Sequence, residues 1–195
     1  MSPLVRAAPC VLLGALLLAG CPREIGPPVV GEVPRTDEPI TIDGKLTEHA
    51  WNERALVAAF VDGSAEAQPR SQIRLLRDDK TLYVALSAVD PDIRSSDAIQ
   101  LVIPPLVMWF DPRGQLKPEV ADADVAATAD KTIDDPSDED KEWVVEAAIP
   151  IRSLPLEATL ETTWIHAARC DVAKDGKKRC GGWNGPLTLV KHAPR

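Results

Sequence analysis

From Ile40 onward the chain alternates short apolar segments with clusters of Gly, Pro and Asp, and few stretches could sustain a long amphipathic helix. In TLYVALSA, Leu82, Val84, Leu86 and Ala88 alternate with Tyr83, Ala85 and Ser87, the two-residue period of a strand that buries one face. Trp143, Val145, Ala147 and Ile149 do the same in EWVVEAAIP, where Pro150 closes the strand because it cannot donate to a ladder. Further strands are predicted at Ile40–Ile42, Leu56–Phe60, Gln72–Leu76, Ala98–Ile103, Leu106–Phe110, Thr163–Cys170 and Leu187–Val190. Seven or more short strands separated by turn residues predict an all-β antiparallel sandwich. Helix is confined to one-turn pieces at Leu46–Asn52 and Ile151–Leu154.

The pattern differs before Ile40. Met1 to Arg6 carries one positive charge, and Val11–Leu18 is an apolar run broken only by Gly14. About 20 apolar residues are needed to span a bilayer, so residues 1–20 read as a secretory leader. The closing Leu18-Ala19-Gly20-Cys21 resembles the bacterial lipobox, which implies cleavage and lipidation at Cys21. The alternative is a plain leader that ends near a Cys. Pro22, where inner-membrane lipoproteins carry Asp, points the resemblance to the outer membrane. Residues 21–39 follow as a tether, in which Pro22, Pro27, Pro28, Pro34 and Pro39 block helix and remove strand donors. One domain, 40–195, remains.

Composition narrows the chemistry. With 22 Lys+Arg against 30 Asp+Glu among 195 residues, the net charge is −8, and the positive field that gathers phosphates is missing. Nucleic acid is not an expected partner. Of four Cys, Cys10 departs with the leader and Cys21 takes lipid, leaving Cys170 and Cys180 as a pair in an oxidising compartment. A disulfide is expected there, across a hairpin whose tip lies at Lys174–Lys177; a redox or metal pair would want CxxC spacing or His neighbours. There is no GxSxG, HExxH or P-loop, and no two carboxylates are paired by the sequence as a glycosidase requires. Asp122, Asp124, Asp134, Asp135, Asp138, Glu139 and Asp140 offer hard oxygens suited to Ca²⁺ or simply a solvated acidic loop, without EF-hand spacing.

Five segments in order resemble the family-nine carbohydrate-binding modules, which are DOMON-like β-sandwiches. ITIDGKLTEHAW at Ile40–Trp51 is similar to the family's opening segment, and RLLRDDKTLYVALSAVDPD at Arg74–Asp92 to its strand pair. SDAIQLVI at Ser96–Ile103 and the following WFDPRGQ are similar to the next strand and turn, and DDPSDEDKEWVVEAAIPIRSL at Asp134–Leu154 is the strongest match. The resemblance covers roughly Ile40–Val190. It implies a non-catalytic, monomeric carbohydrate-binding module that clamps a terminal sugar between two Trp, one in the loop before SDAIQLVI and one near the C-terminus. Trp183, in GGWNGP, matches the second position and reads as a loop-borne platform, with packing as the alternative. Pro91–Asp97, which should carry the first, has no aromatic residue.

Gln100 stands where the family has Glu, and the apolar run Leu106–Phe110 replaces an expected basic residue, so Trp109 becomes a candidate substitute. Its alternation sets it opposite Met108 and Phe110 without deciding which side is inside. Arg169, Asn184, Gln100 and Glu146 are rim candidates, although Glu146 could equally pair with a cation such as Arg169. Trp51 and Trp143 read as core. Two other functions stay open: an envelope interaction module that has lost sugar binding, and a b-type haem domain using Met108 and His166.

Overall fold

A computed structural model describes residues 31–154, 162–172 and 178–188. The leader, Cys21 and the hairpin tip at Lys174–Lys177 lie outside the described residues. The strands are β1 (Gly31–Glu32), β2 (Leu56–Ala59), β3 (Val61–Asp62), β4 (Ala65–Glu66), β5 (Ser71–Arg77), β6 (Thr81–Val89), β7 (Ile99–Ile103) and β8 (Leu106–Phe110). They continue with β9 (Leu116–Lys117), β10 (Asp124–Ala129), β11 (Glu142–Pro150), β12 (Thr162–Val172) and β13 (Lys178–Thr188). Helix is limited to α1 (His49–Glu53) and a 3₁₀ turn at Ile151–Ser153.

The strands form two sheets. One has eight strands in the order β4-β3-β13-β12-β7-β8-β9, with β1 added in parallel to β13; the other runs β10-β11-β6-β5-β2. The alternation in the sequence decides which side chains meet. Leu82, Val84 and Leu86 of β6 and Trp143, Val145 and Ala147 of β11 join Leu101, Met108, Ile165 and Ala167 from the larger sheet in one core cluster. The sandwich predicted from periodicity is the observed fold.

The smaller sheet is also covered on its outer face. Leu76 and Ala85 point outward there and meet Ala50 and Trp51, all four residues being at most 1% exposed, with Ile40, Leu46, Ala55 and Tyr83 packed around them. Glu38 holds the start of α1 by accepting from the backbone N–H of His49 and Ala50, at 3.1 and 2.9 Å. Ile40–Ile42, predicted as a strand, is not one, because it crosses this sheet as part of the cover; Glu48 accepts its Thr41 N–H.

Three more boundaries differ from expectation. Residues before Ile40 are already packed on the sandwich: Val33 N–H donates to Thr188, Thr36 N–H to Arg77 and Arg77 N–H to Pro34, with Val33 and Thr36 buried. Prolines in 31–39 prevent regular structure without preventing docking. β10 was missed because DVAATA has little bulk, yet all its residues pair with β11. The segment GGWNGP belongs to β13 and is not a loop. Its glycines permit close packing: a Cβ on Gly182 would sit 2.8 Å from the carbonyl oxygen of Ala167, and one on Gly181 2.2 Å from the Cβ of Ala67. Cys170 and Cys180 face each other in register and form the expected disulfide.

Candidate functional site

Among the described residues, the outer face of the larger sheet has no such cover. Strand register puts Trp109, Gln100, Ala168 and Gly182 in one row across β8, β7, β12 and β13. Val107, Val102, His166 and Asn184 make the next row, and Trp164, opposite Pro186, lies one step further along β12. Their sequence neighbours Met108, Phe110, Leu101, Ala167 and Ile165 are fully buried, so these rows face outward. Trp109 is 45% exposed and Trp164 55%, two large aromatic surfaces left in solvent. With strand spacing and rise fixed by sheet geometry, their Cα atoms are roughly 16 Å apart along the diagonal.

The polar groups in these rows are uncharged. Gln100 and Asn184 are half-buried amides, and the Oδ1 of Asn184 has no hydrogen-bond partner. Burial holds the His166 imidazole below its usual pKa, so at neutral pH it is a neutral donor and acceptor. Exposed aromatic faces beside planar amides can stack on the C–H faces of sugars and hydrogen-bond their hydroxyls.

The structure therefore gathers Trp109, Gln100 and Asn184 and sends the other expected residues elsewhere. Trp183 alternates inward on β13 and is 3% exposed, so its ring belongs to the core and offers no face to a sugar. Arg169 is equally buried; its Nη2 donates to Asp90 at 2.5 Å and its Nη1 to the carbonyl of Val89 at 2.8 Å, tying β12 to the end of β6. Glu146, fully buried on the covered face of the other sheet, accepts the backbone N–H groups of Asp43, Gly44 and Lys45 at 3.1, 2.8 and 3.1 Å. It anchors a turn and neither lines a rim nor pairs with Arg169. Gly44 is required there, with φ of +79° and a would-be Cβ 2.7 Å from the carbonyl carbon of Ala127. The haem reading fails because Met108 and His166 point to opposite faces of one sheet.

Trp164 and the position of His166 on the open face were missed as parts of this surface. The signal was present, since Trp164, His166 and Ala168 alternate with Ile165 and Ala167.

The acidic residues singled out for Ca²⁺ brace separate turns. Asp134 accepts from Ser95 and pairs with Arg113 at 2.7 Å, Asp135 accepts from Ser137, Asp122 pairs with Arg152, and Asp140 accepts the Ile93 N–H at 2.7 Å. Asp138 accepts the Thr132 N–H, while Asp124 begins β10 and Glu139 is exposed. Among the described residues, the acidic side chains that do converge are Asp90, Asp97 and Asp171, with oxygens within 4.8 Å of one another. Arg169 already supplies a positive charge to them, bonded to Asp90 and 3.8 Å from Asp171. Burial, with Asp90 close by, pushes Asp97 up to about 7.

No protein-family model matches the chain, and no curated protein matches its sequence. Solved structures do match its architecture. A carbohydrate binding module family 9 domain from Caldicellulosiruptor kristjanssonii in complex with cellotriose is 16% identical, with a TM-score of 0.58 over 84% of this chain and 95% of that one. A structure from the same organism in complex with glucose gives 14% identity and a TM-score of 0.56 over 87% and 98%. The chain has a family-nine-like fold. At that identity the likeness concerns the fold, and the family-nine-like sandwich here keeps its C-terminal Trp183 inside.

Proposed function

We propose that the protein is a non-catalytic carbohydrate-binding domain, held at the cell envelope by lipid on Cys21, that takes sugars on the open face of its larger sheet. The observation that carries this is the pair of solvent-exposed Trp109 and Trp164 with Gln100, His166 and Asn184 in the rows beside them, on a sheet face that the described residues leave open. Sugars bind such surfaces by laying apolar ring faces on aromatics while amides take the hydroxyls. The family-nine-like fold supports the same reading, since solved relatives of that architecture were crystallised with cellotriose and with glucose.

Affinity electrophoresis of the full chain in gels containing a panel of polysaccharides tests it. Retardation by at least one glycan, lost in Trp109→Ala and kept in Val57→Ala on the other sheet, is the expected result. Absence of retardation across the panel would defeat it. Membrane partitioning of wild type against Cys21→Ser tests the anchor; the variant is expected in the soluble fraction.

The second reading is an envelope interaction module without sugar affinity. It is favoured by the burial of Trp183 and by the lack of any aromatic residue in Pro91–Asp97. Capture of an envelope protein by the open face, together with the negative glycan panel, would select it.

A further inference from the structure

We infer that the open face binds an internal stretch of an extended, neutral polysaccharide and not a single sugar or a chain end. The inference rests on the carbohydrate reading above and adds the class of ligand. Trp109 and Trp164 stand on strands two places apart, β8 and β12, with β7 between them. Their separation of roughly 16 Å, set by sheet geometry, is too great for both rings to contact one pyranose. Each is therefore a separate stacking position, and a ligand that uses both must continue across the sheet.

The ground between the two rings suits a chain in transit. Val102 of β7 lies in the row between them, with Gln100 and His166 along one side of the diagonal and Val107 on the other. Among the described residues the face is built of paired strands, whose outward side chains stand side by side on a pleated surface along which a chain can run. The ring of Trp183 lies in the core and adds no wall to this face.

Charge selects among polymers. Among the described residues, the outward positions of β7, β8 and β12 on this face are Gln100, Val102, Val107, Trp109, Trp164, His166, Ala168 and Cys170, none of them carrying a charge at neutral pH. Lys117, paired with Trp109, stands at the edge. A chain of net charge −8 repels polyanions at long range, so uronate-rich or sulfated glycans are disfavoured.

The test is a length ladder on the full chain: glucose, cellotriose and cellohexaose by isothermal titration calorimetry, and amorphous cellulose by depletion. Affinity is expected to rise about tenfold or more from the trimer to the hexamer as the second Trp is engaged. Borohydride reduction of the hexamer's end should leave it bound, and Trp109→Ala and Trp164→Ala should each lose about tenfold on the hexamer. Trp109→Tyr and Trp164→Tyr, which keep an aromatic ring, should restore most of that loss, and circular dichroism of each variant excludes misfolding as its cause.

Glucose binding as tightly as the hexamer, loss of binding on end reduction, or indifference to Trp164→Ala would overturn the inference and leave the carbohydrate reading standing. Binding of alginate in preference to every neutral polymer in the glycan panel would do the same. No binding to any member of that panel would remove the carbohydrate reading itself.

Discussion

The two sheets turn opposite kinds of surface outward. On the smaller sheet, Trp51 is fully buried where the segment running from Thr36 through α1 folds back over Leu76 and Ala85, and Glu146 takes three backbone donors from the same segment. On the larger sheet, Trp109 and Trp164 stand in solvent, and the one covalent brace is the Cys170–Cys180 bond, which shares the outward side of β12 with Ala168. One residue type therefore serves stability on one sheet and is free for a ligand on the other. What separates the roles is whether another stretch of chain lies on top.

The largest expected effect tests the covered side. Trp51→Ala should cost about 3–5 kcal/mol in urea unfolding, because it opens a cavity where the largest side chain of the small cluster between the cover and the sheet now sits. Trp164→Ala, similar in chemistry, should change stability by less than about 1 kcal/mol. Equal losses in the two would end the distinction between the faces.

On the open side, Cys170→Ser with Cys180→Ser should cost about 3 kcal/mol by the loop-entropy account, measured by denaturation of both forms under oxidising conditions. Glu146→Ala should cost about 2 kcal/mol by leaving the N–H groups of the Asp43–Lys45 turn without their acceptor, with Glu146→Gln restoring part of it.

A further effect is one of pH. Asp97 has a folded pKa of about 7 against an ordinary value of 3.8, so the folded chain binds that proton more tightly than the unfolded chain. Its contribution is complete below about pH 4 and is lost as pH rises toward about 7, so stability should fall across that window. Asp97→Asn, which cannot titrate, should flatten the slope in urea titrations between those pH values. An unchanged slope would mean that this end of the open sheet is wetter than its packing against Asp90 and Arg169 indicates.

Much of this architecture could be read along the chain. Strands with clean alternation, such as Thr81–Val89 and Glu142–Pro150, were legible because one buried face imposes a period of two. Trp143 was legible as core for the same reason, Trp51 from its place after a short turn, and the pairing of Cys170 with Cys180 from the two Cys left in an oxidising compartment. Where side chains were small or the backbone irregular, the pattern failed. Asp124–Ala129 carried too little bulk to announce a strand, and GGWNGP looked like a loop when its glycines are required by close strand packing.

The candidate site was only half legible. Trp109, Gln100 and Asn184 were found, but Trp183, Arg169 and Glu146 were given to a rim from which their burial removes them. Periodicity says that two residues share a face and does not say which face looks at water. The sequence by itself determined a two-layer β fold, an acidic chain and a disulfide pair. The tertiary structure alone decided which Trp are exposed, because that depends on where the segment from Thr36 to Glu53 comes to rest. It lies on the smaller sheet, and the described residues leave the outer face of the larger one open.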